Sequence, residues 1–81
     1  MVARFEYWWL SIRLNSDTKE WEMSFSDGTP SVYGWDNILA YIAAGGWEII
    51  SILPDRWDTW HPSEQGYEYV TRYRVFCKRP I

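Results

Sequence analysis

Residues 35–53, WDNILAYIAAGGWEIISIL, contain the change of hydrophobic period that decides the fold. Gly45 and Gly46 end the first half, since one glycine can take the left-handed conformation that closes a helix. The second half, from Trp47 to the stop at Pro54, is apolar nearly throughout and predicts a strand inside a sheet. The helical spacing i, i+3, i+4, i+7 in the first half is set by Trp35, Ile38, Leu39 and Ile42.

Two strands are predicted before this helix. Residues 5–14 are rich in aromatic and branched side chains and lack Gly and Pro, which is typical of a long strand. A polar turn cluster follows at 15–18. Beyond it Trp21, Met23 and Phe25 alternate with polar residues, so we expect a second strand that pairs with the first in a hairpin.

The first predicted strand carries apolar residues on both faces. Rings occupy odd positions up to Trp9, whereas apolar groups occupy even positions from Trp8 onward. Either a bulge reverses the alternation there, or both faces of the strand are covered. We favour the second interpretation, because a central strand beneath a helix and against a partner needs two apolar faces.

The second half of the chain predicts a long connection and a last strand. Residues 55–66 are mostly polar around Trp57 and Trp60, and we interpret them as a loop. Residues 67–78 alternate again, with Cys77 on the face that we expect to be buried.

The predicted order is strand, strand, helix, strand, strand (β-β-α-β-β). This is an α+β fold in which a four-stranded antiparallel sheet has one helix on one face. The length of 81 residues allows one domain, so we expect a single α+β domain over residues 1–81. We place the first and last strands in the centre of the sheet.

The aromatic content predicts a partner. The chain has 7 Trp, 6 Tyr and 3 Phe, more rings than one short helix can cover. The uncovered face is then an apolar patch of the kind that usually marks a contact. We therefore expect a homo-oligomer, most simply a two-fold dimer.

Charge and cysteine usage exclude several classes. The net charge of -3 argues against general affinity for nucleic-acid backbones, which attract Lys and Arg. The single cysteine, Cys77, excludes an intrachain disulfide and predicts a cytoplasmic protein. The longest uncharged run, between Asp36 and Glu48, is too short to span a bilayer, so no membrane association is expected.

Three segments carry a resemblance to a known family. The stretches at 5–7 (FEY), 46–50 (GWEII) and 76–80 (FCKRP) resemble the domain of unknown function 4177 family of small bacterial proteins, and the resemblance covers most of the chain. It implies the fold and the small size. It brings no assigned catalytic residues, and this chain departs from the family pattern at the acidic strand 19–26 and at residues 57–66.

His61 and Cys77 are the candidates for chemistry. His61 lies near Asp55, Asp58 and Glu64 and could hold a divalent metal or act as a general base. We favour a solvated loop histidine, because metal sites usually need more converging ligands. Cys77 is predicted to be a core residue and not a nucleophile. We therefore expect no metal, no cofactor and no enzymatic activity.

Trp57 and Trp60 are the strongest candidates for a contact. Two indoles in a polar segment are poorly explained by strand periodicity, and such rings can stack on sugars or bases. The alternative, which we favour, is that they pin the loop over the sheet or reach into a neighbouring subunit.

The basic residues of the last strand have two interpretations. Arg72, Arg74 and Lys78 share a face with Phe76, an arrangement that single-stranded nucleic-acid readers use. We favour a polar outer face balanced across the sheet by Glu20 and Glu22, because the chain is acidic.

The function predicted from sequence is a non-enzymatic, homo-oligomeric domain that works through protein contacts. The alternative is a small-molecule or single-stranded nucleic-acid binding module that uses the Trp57/Trp60 loop with Arg72 and Arg74. The residues expected to contact a ligand or partner are Trp57, Trp60, His61, Arg72 and Arg74.

Overall fold

The computed structural model describes residues 4–60 and 67–81. Within them the chain forms one helix and a five-stranded antiparallel sheet in the order β3-β2-β1-β5-β4. The elements are β1 (Phe5–Leu14), β2 (Trp21–Met23), β3 (Val32–Tyr33), α1 (Trp35–Ala44), β4 (Glu48–Trp60) and β5 (Tyr67–Pro80).

The α+β class is present, but the prediction of a four-stranded sheet in the order β-β-α-β-β is wrong. The additional strand is β3, which pairs with β2 just before the helix. It has two residues, too few for any alternation to mark it in the sequence. β2 is also shorter than the predicted strand over residues 19–26.

β1 lies in the middle of the sheet, and β5 beside it, as predicted. The register of β1 with β5 runs without a shift from Phe5 to Arg13, so the bulge alternative at Trp8 and Trp9 is wrong. Both faces are not covered within this chain either. On the even face Leu10 and Ile12 are buried, whereas on the odd face Tyr7 is 71% and Trp9 58% exposed.

The core lies between α1 and the even face of β1. Ile38 and Ile42 of the helix are fully or almost fully buried there, as their spacing predicted. The prediction that Cys77 belongs to the core is confirmed, since it is 1% exposed. The sheet contributes the other buried members, Leu10, Ile12, Met23 and Val75.

β4 differs most from its prediction. It is an edge strand and not an interior one, and it continues through Pro54 to Trp60. An edge strand tolerates proline because the N–H that proline lacks can be one that faces solvent. Its register with β5 shifts between Ile49 and Ser51 and twice more around Arg56.

The predicted loop at 55–66 is therefore wrong for residues 55–60, which belong to β4. Its remaining residues, 61–66, lie outside the described part of the chain. Where β1 ends, β4 and β5 continue as a two-stranded ribbon, residues 57–60 and 67–70, which we call the arm. The radius of gyration is 15.5 Å, against about 12 Å for a spherical domain of this length, because the arm extends the molecule.

Candidate functional site

The structure separates the residues that the sequence grouped together. Trp57 lies on the arm opposite Val70 and is 55% exposed. Trp60 ends β4, opposite Tyr67. His61 lies outside the described residues. Trp57 is thus held by strand pairing rather than by a loop.

Arg72 and Arg74 share one acidic partner. The Nε of Arg72 lies 2.9 Å, and the Nη2 of Arg74 3.2 Å, from Oδ2 of Asp55. Both are ion-pair contacts without directed hydrogen bonds. The predicted partners were Glu20 and Glu22, but β4 and not β2 is the neighbour of β5 on this side.

The face of the sheet opposite α1 carries rings and cations side by side. Cross-strand register places the odd residues of β1 beside the even residues of β5. The guanidinium carbon of Arg74 lies 4.8 Å from the ring centre of Trp9, and the Nζ of Lys78 lies 4.9 Å from that of Phe5. We call this surface the open face; its apolar members are Phe5, Tyr7, Trp9, Leu53 and Phe76.

A groove lies where the arm leaves the body of the sheet, and it brings Trp57 and Arg72 together. This arm groove has a volume of about 580 Å³. Arg74 does not line it. Among the described residues lining it, Asp58 is the carboxylate, whereas the cations are Arg13, Lys19, Arg56 and Arg72.

The cations of the arm groove are not equally free. The Nε of Arg13 lies 2.8 Å from Glu22, and Arg72 contacts Asp55. Across residues 4–60 and 67–81, no ion pair involves Lys19 or Arg56. The groove is therefore a local positive site on an acidic chain.

A second cavity, which the sequence did not indicate, opens at the free edge of β1. This ring cavity also has a volume of about 580 Å³. Four of its five rings form two pairs: the centroids of Trp8 and Trp47 are 5.3 Å apart, as are those of Phe25 and Tyr41. Its lining consists of Tyr7, Trp8, Phe25, Asp27, Thr29, Tyr41, Ala44, Gly45 and Trp47.

Trp47 is positioned by the end of the helix. A Cβ on Gly45 would lie 2.9 Å from Cδ1 of Trp47, so only glycine permits this approach. The guanidinium of Arg79 lies over the indole of Trp47, 4.3 Å from the ring centre. Arg79 also donates a hydrogen bond of 2.9 Å to the carbonyl oxygen of Gly45 and pairs with Glu6.

Two titratable groups of the described residues have a perturbed pKa. Hydrogen bonds from the side chain and the backbone N–H of Thr29 lower the pKa of Asp27, the N–H lying 2.9 Å from Oδ1. Burial raises the pKa of the Cys77 thiol. Asp27 is thus an anion at neutral pH, and Cys77 is a neutral thiol.

The described residues hold neither a metal-site grouping nor a membrane-spanning helix. Within 4–60 and 67–81, no three His, Cys, Asp or Glu side chains group as a metal site would require. In the described part of the chain, no helix has the length and apolar character to cross a membrane.

Comparison of the chain with family models, with curated proteins and with solved structures gives no match in any of the three. The resemblance to the domain of unknown function 4177 family therefore stays a prediction.

Proposed function

We propose that this chain is a non-enzymatic interaction domain that associates with a second copy of itself through the open face. The exposure of Tyr7 and Trp9 at the centre of the sheet is the observation that supports this. Large rings in contact with water lose the stabilisation that burial gives, and a contiguous group of them usually marks a contact surface.

The face is better suited to association than the edge. The exposed edge of the sheet at β4 carries Pro54 and several register shifts, which are the features that block strand addition. The open face has no such protection. Association through it leaves β4 unpaired and buries the rings.

The charges of the open face are compatible with a contact between the open faces of two copies. A two-fold contact brings the same patch of both copies together. On this patch Arg72 and Arg74 are balanced in part by Asp55, and Arg13 by Glu22. Both signs are present, so the contact can be made without strong repulsion between like charges.

The test is the mass of the protein in solution at micromolar concentration, measured by size-exclusion chromatography with light scattering. We expect a dimer, and a monomer for Trp9→Ser. Trp57→Ser is the matched control, because Trp57 is almost as exposed but lies on the arm. A monomeric wild-type protein, or equal loss of the dimer in both variants, contradicts the proposal.

A second candidate function is the binding of a flat anion, such as a nucleotide in a single strand, in the arm groove. The observation that favours it is the shared lining of Trp57 with Lys19, Arg56 and Arg72. A ring can stack on a base while the cations meet phosphate.

Anisotropy of a labelled oligonucleotide at low salt tests this second candidate. Arg56→Gln should weaken binding about tenfold or more, because it removes a cation free of any ion pair in the described chain. Lys78→Gln, which removes a cation outside the groove, should change it little. Absence of binding by the wild-type protein, or equal effects of the two variants, rejects the candidate.

A further inference from the structure

We propose that the ring cavity binds a quaternary or methylated ammonium group, carried either by a small molecule or by a lysine side chain. This site is separate from the Trp9 centre of the open face and from the arm groove, and its ligand has the opposite charge to that of the arm groove.

The walls of the cavity have the right chemistry for such a group. The face of an aromatic ring carries negative potential, so several rings around one cation attract it while they replace its water with apolar contacts. Trp8 with Trp47 forms one wall, and Phe25 with Tyr41 forms another. None of the described lining residues is cationic.

Two sources of negative charge lie at the rim. Asp27 supplies a full charge, since Thr29 holds its carboxylate in the ionised form. The second source is the carboxyl end of α1, where the helix dipole carries partial negative charge and where Ala44 and Gly45 line the cavity. The last turn of α1 has no basic residue of its own to balance it.

The fold already uses one wall of the cavity to hold a cation. Arg79 lies over the indole of Trp47 and donates a hydrogen bond to the carbonyl oxygen of Gly45. One guanidinium thus contacts both an aromatic face and the end of the helix. Arg79 does not line the cavity itself. A cation on an aromatic face beside the helix end is therefore a type of contact that this fold already makes next to the cavity.

The dimensions also fit. Pockets that bind small molecules have volumes of about 300 to 1,000 Å³, and this cavity of about 580 Å³ lies within that range. A trimethylammonium group is compact, and the remaining space can hold the chain to which it is attached.

The first experiment compares a cationic ligand with a neutral ligand of the same shape. Choline is titrated into the full chain by calorimetry or NMR, beside the isostere in which a tert-butyl group replaces the trimethylammonium group. We expect choline to bind about tenfold more tightly. Equal affinities would mean an apolar cleft without preference for charge and would overturn the proposal, as would no binding of choline.

Two variants locate the site. Asp27→Asn removes the charge but keeps an oxygen that can accept from Thr29, and Tyr41→Leu removes a ring but keeps an apolar helix-forming residue. Both should weaken choline binding several-fold while the weak isostere binding changes less. The control is Asp17→Asn, an exposed carboxylate in the turn after β1 that does not line the cavity. If Asp17→Asn weakens choline as much as Asp27→Asn, the effect is one of net charge and the assignment to this cavity is wrong.

The source of the group is settled by a third titration, with a short peptide that contains trimethyllysine. Tighter binding of the peptide than of choline assigns the site to a protein partner, and tighter binding of choline assigns it to a small molecule. A peptide with unmodified lysine that binds equally well contradicts the requirement for methylation. Unfolding midpoints of all variants, measured alongside, separate loss of binding from loss of fold.

Discussion

At the scale of single residues, Gly45 determines how closely Trp47 approaches the helix. Its φ of -80° is open to any residue, so backbone strain does not explain the glycine. The explanation is space, because the position of a side-chain carbon is already occupied by the indole. Gly46, with a φ of +80°, is the residue that takes the left-handed conformation expected of one of the two glycines.

Gly45→Ala should therefore destabilise the protein by about 1 to 3 kcal/mol, the usual cost of overpacking. Urea unfolding followed by fluorescence measures it. In the Trp47→Phe background the same change should cost less, since a smaller ring relieves the contact. Additive costs in the double variant would mean that the two residues do not interact.

The Cys77 thiol makes stability depend on pH. Burial raises its pKa in the folded protein above the ordinary value of 9.0, so the unfolded chain loses this proton first. Stability is unaffected by this group below that pH and should fall as the pH rises above it. Urea midpoints at several alkaline pH values should fall less steeply for Cys77→Ala. Identical slopes for the two proteins would show that the thiol is not protected by burial.

At the scale of elements, the helix was predictable because its spacing states which side is buried. Ile38 is fully buried and Leu39 is 38% exposed, although both belong to the apolar pattern. The difference arises because the apolar face of α1 is broader than the part of the sheet that the helix covers. Tertiary contact, and not periodicity, decides which of the two neighbours reaches the core.

Ile38→Ala should cost about 2 to 5 kcal/mol, and Leu39→Ala about 1 kcal/mol or less. Both changes keep the helix propensity high, so the comparison isolates burial. Denaturant unfolding with a common slope gives the two free energies of unfolding. Similar costs for the two would mean that the helix packs on the sheet at another angle.

The strand β4 was not predictable from its residues. An apolar run such as Ile49 to Leu53 is typical of an interior strand, and here it forms an edge whose apolar side chains reach water. Beyond Pro54, residues 55–59 are half-buried or exposed without alternation, so no hydrophobic period marks them as a strand. Hydrophobic pattern reports burial, and an exposed strand therefore resembles a loop.

The candidate sites, like β4, could be predicted only in part from the sequence. Trp57 and Arg72 were identified from the sequence pattern, and the structure does bring them to one groove. Arg74 shares Asp55 with Arg72 but lies over Trp9 and does not line the groove. The ring cavity takes its walls from three segments distant in sequence, so nothing local could reveal it. The sequence shows which residues are unusual in their context, but only the tertiary structure shows which of them are in contact.

At the scale of the whole molecule, the helix covers only one of the two sheet faces that carry large apolar side chains. The chain is longer in one direction, 60 Å, than its other extents of 26 and 21 Å, because the arm projects beyond the core. A two-stranded ribbon alone is marginally stable. The elongated shape and the open face are the two features on which the proposal of a partner rests.

If that partner is a second copy, thermal stability should increase with protein concentration. A partner at about 100 times its Kd adds about 2.7 kcal/mol. Melting temperatures measured by calorimetry over a wide range of dilution should rise for the wild-type protein and stay constant for Trp9→Ser. A melting temperature independent of dilution in both would contradict a dimer held by the open face.

The pairing of Trp8 with Trp47 has a practical consequence for spectroscopy. Two indoles 5.3 Å apart and inclined at 43° couple their electronic transitions. The resulting exciton couplet overlaps the far-ultraviolet dichroism of the backbone, so helix content read from such a spectrum would be distorted. The contribution of this pair would be lost when the two rings move apart, whereas Trp21 and Trp35, 5.7 Å apart and inclined at 46°, would add a couplet of their own.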